Sequence, residues 1–353
     1  MRRAVVASIL FTTVACHGER TPTTFTETRS FPVAAGKVVR LDLGSLDLEV
    51  RVADTDSIGV EVSLEARSSA PGAARRWIES HRPAYSDGPS RLVVEVPKRS
   101  HGTFMVGYFR SDGDVRLTIP PSCRLEVETS SGDVTLDGIG PLDGAVRVTT
   151  ASGDLEVRGG AREIVVRTAS GDVDIDAGAL DRLEADTASG EVVLRSGARQ
   201  AIVDTASGEV DLSDLSGELS VHTTSGDVRA RWAVPPAGGR IEVNTTSGDI
   251  ALNLPTAAVL TGRARTRTGR LESDWKGSWD RRRSLQLPAT AAAATTIELR
   301  ATSGDIELLH SDAPEGEEAH ATGDTEAPAP LEAPAPPEAP ESPVPPSIPE
   351  STR

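Results

Sequence analysis

Residues 125–136 read LEVETSSGDVTL, residues 146–157 read VRVTTASGDLEV and residues 241–252 read IEVNTTSGDIAL. All three follow one pattern. Apolar residues occupy every second place, then come Thr, Ser-Gly-Asp, and two apolar residues split by one other residue. Alternation with period two marks a strand with one buried face. The parity slips at the glycine: Ile241, Val243, Thr245 and Ser247 share one face, yet the next inward residues are Ile250 and Leu252. An odd step of three cannot belong to one unbroken strand. The chain must bend or bulge at Gly-Asp, where Gly tolerates backbone conformations closed to other residues.

The central Ser recurs at Ser131, Ser152, Ser170, Ser189, Ser207, Ser225, Ser247 and Ser303, in steps of 21, 18, 19, 18, 18, 22 and 56 residues. The last step contains a degenerate copy at Thr268-Gly269-Arg270. Periods near 20 signal a solenoid, in which one repeat cannot bury its inward face alone. Each repeat is expected to be a strand, a tight corner, a second strand and a looser return, stacked at about 4.8 Å in roughly ten rungs. Val39-x-Leu41-x-Leu43-Gly44-Ser45-Leu46-x-Leu48 is a weaker echo of the pattern. Residues 57–67 and 91–97 also read as strands, and 72–80 (GAARRWIES) as a short helix that would cap an open end. The fold class is therefore all-β, a β-helix-like solenoid with 18–22 residues per rung and short helical or loop caps.

The corners run through Gly132-Asp133, Gly153-Asp154, Gly171-Asp172, Gly190-Glu191, Gly208-Glu209, Gly226-Asp227, Gly248-Asp249 and Gly304-Asp305. Stacked carboxylates of this kind could share Ca²⁺, or could sit beside the turn and accept its N–H groups. Like charges at this spacing repel by only ~1 kcal/mol in water, so no metal is needed to hold them. Glu at two of the places fits no strict ligand set, and turn chemistry is the favoured reading, with no cofactor or metal expected. The column Thr129, Thr150, Thr168, Thr187, Thr205, Thr223 and Thr245 reads as an inward hydroxyl ladder, because no base recurs beside it. The six His are scattered, and Cys123 has the parity of a core thiol. The chain is accordingly expected not to be an enzyme. A β-helix enzyme acting on polysaccharide, with acids paired across rungs, is the alternative from another class.

Only 3% of residues are aromatic and the net charge is −16. Ten acidic residues and one Arg lie in 311–353, which also holds 11 of the 24 Pro, so a disordered, solvated tail is expected there. An acidic chain does not suit nucleic-acid binding.

Residues 1–16 read MRRAVVASILFTTVAC: two Arg, then twelve apolar or small residues, as in an export signal. Thr13-Val14-Ala15-Cys16 resembles a bacterial lipobox, although Thr13 stands where Leu is usual. The resemblance implies lipidation of Cys16 and a membrane anchor through the N-terminal lipid. His17, a residue other than Asp, implies the outer membrane, with the domain facing the periplasm or the cell surface. The expected organisation is a signal over 1–16, a linker over 17–36, the solenoid over 37–310 and the tail over 311–353.

The repeated Thr-x-Ser-Gly-Asp-Val signature, with strand-Pro junctions at Ile119-Pro120 and Leu254-Pro255, resembles the bacterial "putative adhesin" family of domains of unknown function across residues 37–310. That resemblance implies a right-handed β-helix-like fold in exported or membrane-attached proteins and supplies no catalytic residues.

One irregular stretch, 262–283, gathers Arg263, Arg265, Arg267, Arg270, Trp275, Trp279, Arg281, Arg282 and Arg283. Arg with Trp is a binding-surface mixture suited to an anionic glycan, a lipid headgroup or an acidic envelope protein. The favoured reading of the stretch is a decorated loop that caps the degenerate rung, with Trp covering the core. The function expected from all this is a non-enzymatic envelope lipoprotein, an adhesin or scaffold. A periplasm-facing envelope-stress accessory protein is the alternative within binding.

Overall fold

The structure is a computed structural model that describes residues 8–10, 22–97, 108–138, 140–234, 236, 238–281, 283–288 and 294–311. Two sheets of 14 strands each enclose one continuous apolar core. Eleven strands of each sheet run parallel and make eleven rungs. A typical rung passes from Arg240–Ser247 in one sheet, around the corner, into Ile250–Pro255 in the other. Ile241, Val243, Ile250 and Leu252 of that rung are fully buried. Neighbouring rungs align repeat on repeat, so that Ser207, Ser225, Ser247 and Ser303 are register partners in turn.

The corner differs from the expected geometry in one respect. The corner Ser residues do not share the inward face: all eight are exposed, and the last inward residue of the first strand is a buried Thr in seven repeats and Ala301 in the eighth. In the first two Ser-Gly-Asp corners the Thr hydroxyl caps the bend, whereas the N–H groups of Gly171, Gly208, Gly226 and Gly248 go to the Ser carbonyl of the next rung. Thr129 Oγ1 accepts the Gly132 N–H at 3.1 Å, and Thr150 Oγ1 accepts that of Gly153 at 3.0 Å. This is a side-chain turn that turns the Ser outward.

The glycines are required by the stack itself. A methyl group built on Gly208 would lie 2.0 Å from the carbonyl oxygen of Gly190, and one on Gly226 would lie 2.0 Å from that of Gly208. Both glycines also have φ near +150°, at 152° and 151°. Beside them the acidic column joins rung to rung. Asp47, Asp133, Asp154 and Asp172 each accept the N–H of the acidic residue one rung on, at 2.8–3.0 Å. Asp227 and Asp249 do the same at 2.8 and 2.7 Å. The ladder skips Glu191 and Glu209, whose extra methylene carries the carboxylate past the N–H; Glu209 reaches Arg229 instead.

The rungs are not stacked in chain order. At one end the rung Val38–Asp42 and Asp47–Val52 lies between Arg91–Glu95 with Phe109–Ile119 and Arg124–Glu128 with Val134–Gly138. At the other, the last repeat, Thr295–Ser303 and Ile306–Ser311, is inserted between the Ser247 rung and the degenerate rung Leu260–Thr268 and Leu271–Ser273. Both outermost rungs are thus made by chain that is internal to the repeat array.

Antiparallel strands finish the ends. Residues 17–36 are not simply a linker: Thr23–Pro32 is a strand paired with Ser57–Ser68, with Phe25 and Phe31 in the core. Ser8–Leu10, from the stretch read as an export signal, pairs with Thr26–Thr28; the rest of 1–16, Cys16 included, lies outside the described residues, as does the tail beyond Ser311. The helix Ala73–Ser80 lays Ala73, Ala74 and Ile78 against the Ser57–Ser68 and Thr23–Pro32 strands and covers the core there. Lys37, 2% exposed, reaches Asp87 at 2.5 Å and the Pro32 carbonyl at 2.9 Å, tying the edge strand Ala84–Asp87 to this cap.

Two substitutions test the corner by urea unfolding. Gly226→Ala should cost ~2 kcal/mol or more, since it meets both a backbone oxygen and a disfavoured φ. Glu209→Asp should instead add ~0.5–1 kcal/mol by restoring the ladder bond onto the Asp227 N–H, leaving the gap at Glu191.

Candidate functional site

The irregular stretch 262–283 forms the end of the stack. Leu260–Thr268 alternates buried Ala264 and Thr266 with exposed Arg263, Arg265 and Arg267, so three guanidinium groups stand on one outer face about 7 Å apart. Arg263 Nε donates to Gln286 Oε1 at 3.1 Å. Arg265 lies directly opposite Arg300 on the next strand, a like-charge pairing that sheets disfavour. A depression of about 370 Å³ lies over these residues.

The chain then forms a hairpin, Ser278–Asp280 against Ser284–Leu287, at the edge of the sheet. Its turn is closed by the Arg283 N–H on the Asp280 carbonyl at 3.1 Å, with Arg281 at φ +49° in the left-handed region. Arg283 Nη1 donates to the Arg267 carbonyl at 3.1 Å and so ties the hairpin to the Arg-bearing strand. Between the hairpin and the last strand of the other sheet is a cleft of about 760 Å³, lined by Arg270, Leu271, Asp274, Trp279, Arg281, Arg283 and Leu309 among others.

The structure therefore divides the sequence-selected residues into three groups. Arg263, Arg265 and Arg267 form the outer row, and Trp279, Arg281 and Arg283 line the end cleft. Trp275 and Arg270 hold the last rung. The Trp275 indole N–H donates to the Ala258 carbonyl at 3.3 Å, and its ring meets His310 edge-on at 4.2 Å. Arg270 replaces the corner acid, yet its N–H still continues the ladder onto Asp305 Oδ1 at 2.8 Å, and its guanidinium grips Oδ2 at 3.0 Å. The Arg270 N–H and then its guanidinium hold the Asp305 carboxyl below the usual carboxylate range. This contact is complete at neutral pH and is lost as the pH falls through that lowered value. Arg282 lies outside the described residues.

Guanidinium groups without a carboxylate within 4 Å are concentrated at this end, although among the described residues Arg124, Arg147, Arg162 and Arg231 elsewhere in the stack have none either. Along the sheets Arg182, Arg229 and Arg240 each lie within 3.0 Å of a carboxylate, and Arg195 pairs with Asp174. Among the described residues, Arg263, Arg265, Arg267, Arg281 and Arg283 have no carboxylate within 4 Å; Arg263 stands across from Glu298, whose carboxylate is held by Arg240 and Arg300. The sequence did not reveal Gln286, Arg300, Leu309 or His310 as neighbours, because they arrive on strands that follow the degenerate copy in the chain.

A second depression of about 700 Å³ runs across the rungs past Asp186, Asp204, His222, Asn244 and Arg300. His222 Nδ1 is 3.4 Å from Asp204, and their side chains are 48% and 58% exposed on an open face. Among the described residues, no three His, Cys, Asp or Glu gather as a metal site would require.

A family model described as Toastrack DUF4097 matches residues 39–309. No curated protein matches the chain at a significant level. Similar solved structures include a putative adhesin from Parabacteroides merdae, with 11% identity and a TM-score of 0.42, covering 81% of this chain and 96% of the other. A putative adhesin from Bacteroides fragilis has 10% identity and a TM-score of 0.38, with 81% and 97% covered. A putative lipid binding protein from Parabacteroides distasonis has 11% identity and a TM-score of 0.34, with 81% and 97% covered.

The division of the two Trp is measurable by thermal and urea melts. Trp275→Ala should cost about 2 kcal/mol, since it uncovers the last rung, whereas Trp279→Ala should stay within about 0.5 kcal/mol of the parent.

Proposed function

This chain belongs to the Toastrack DUF4097 family, and from that premise we propose that it is an exported, lipid-anchored envelope protein that binds an anionic envelope polymer and catalyses no reaction. The observation that carries the reading is the gathering at one end of the stack of five guanidinium groups that, among the described residues, have no carboxylate within 4 Å, in a protein of net charge −16. Clustered like charges repel one another, and an anionic partner relieves that repulsion and is steered towards the patch. The N-terminal pattern ending at Cys16 supports export and a lipid anchor, which leaves the Arg-rich end at the opposite end of the rung order from the strand that follows the anchor.

The enzyme alternative would have to use the depression at Asp204 and His222. Both side chains stand well exposed on a flat face, without the water-excluding walls that acid–base pairs need. Binding is therefore the favoured reading.

Replacing Arg281, Arg282 and Arg283 together by Ser should weaken binding of the purified protein to isolated envelopes by tenfold or more at low salt, and added salt should weaken the parent similarly. Unchanged binding in the triple variant would sink the polyanion reading. Fractionation of cells should find the parent in the membrane fraction and Cys16→Ala in the soluble fraction. A membrane-bound Cys16→Ala protein would remove the lipid anchor from the account. Protease added to intact cells then decides the face: digestion places the domain at the surface, and protection until the outer membrane is opened places it in the periplasm.

A further inference from the structure

We propose that the end cleft holds one ring of an acidic sugar, so that the anionic polymer is an acidic polysaccharide; this rests on the polyanion reading above and names its chemistry. The cleft has what a sugar ring requires and a bare phosphate does not. Trp279 is 43% exposed and lines the cleft. It is the register partner of buried Leu285, so its ring stands on the core side of the hairpin, where the stack ends and no further rung covers it. Leu271 and Leu309 add apolar floor. A pyranose presents a C–H face that stacks on an indole, while its hydroxyl groups need acceptors. Glu272 and Asp274 line the same cleft; one oxygen of Asp274 takes the His310 N–H at 2.8 Å, and the other remains for a hydroxyl. Arg281 and Arg283 share the cleft with Glu272 and Asp274 but pair with neither within 4 Å, and they suit the carboxylate of a uronic acid, which a guanidinium can hold with two parallel hydrogen bonds.

The cleft is also continuous with the outer row. Arg283 lines the cleft and bonds the backbone of Arg267, the last member of that row. A chain with one ring in the cleft would continue along Arg267, Arg265 and Arg263, with a guanidinium about every 7 Å. A volume of about 760 Å³ is in the range of a small-ligand site and exceeds what one carboxylate would need.

Titration calorimetry of the full chain at low salt tests this with three probes: oligogalacturonate, polyphosphate and neutral malto-oligosaccharide. The expected result is binding of oligogalacturonate, weakened about tenfold by Trp279→Ala and restored by Trp279→Phe. Arg265→Gln should weaken oligogalacturonate and polyphosphate alike, whereas Trp279→Ala should leave polyphosphate unchanged. A melting curve matching the parent shows that each variant is folded. If Trp279→Ala leaves oligogalacturonate binding intact, or polyphosphate binds as tightly as the sugar polymer, the sugar is wrong and the polyanion reading stands. If neither polyanion binds, both fall.

Discussion

The structure depends on how closely one rung's backbone passes over the next at the corner. The carbonyl oxygen of each corner glycine occupies the space that a side chain on the next rung's glycine would need; at Gly226 the clearance is 2.0 Å. Only Gly can stand there, and once it does the other features follow. The Ser is turned outward, the Gly N–H is taken by a Thr hydroxyl at Gly132 and Gly153 and by the next rung's Ser carbonyl at Gly208, Gly226 and Gly248, and the acid is placed beside its neighbour's N–H. Hydrogen bonds along the Asp column then fix the register, so that every Val, Leu and Ile of a rung falls on its counterpart. A one-residue slip would turn that whole apolar set outward.

A stack of this kind has two raw ends, and this protein treats both alike. The first and last repeats in the chain are inserted one rung inward, and internal segments form the outermost rungs. Each terminal repeat is therefore held by parallel strands on both sides, which protects edges that would otherwise pair with other chains. The arrangement also explains why the Arg-rich segment is exposed. The Arg-rich segment is the outermost rung with its hairpin, so its side chains face solvent at the end of the stack instead of another repeat.

Much of this was legible in the sequence. The period near 20, the alternation and the Ser-Gly-acid triplet gave the solenoid, its two strands per rung and its corners, because those signals are local and repeat many times. Three things were not legible, each for a physical reason. Thr23–Pro32 reads as linker because its inward places include charged residues; Glu27, 5% exposed, is tolerated there only because Arg29 pairs with it at 2.6 Å. The order of the end rungs depends on pairings between strands far apart in the chain, which no local pattern records. The Arg and Trp residues of 262–283 read as one patch, but the hairpin separates an outer row from an end cleft and draws Trp275 into the cap against His310.

Hydrogen exchange of the backbone amides tests the interlocked stack most directly. If Thr295–Ser303 and Ile306–Ser311 are flanked on both sides, their amides should exchange as slowly as those of Arg240–Ser247 and Ile250–Pro255, and more slowly than those of Leu271–Ser273 and the hairpin. Fast exchange across residues 295–311, with slow exchange across 260–273, would mean that the rungs stack in chain order and would contradict the account.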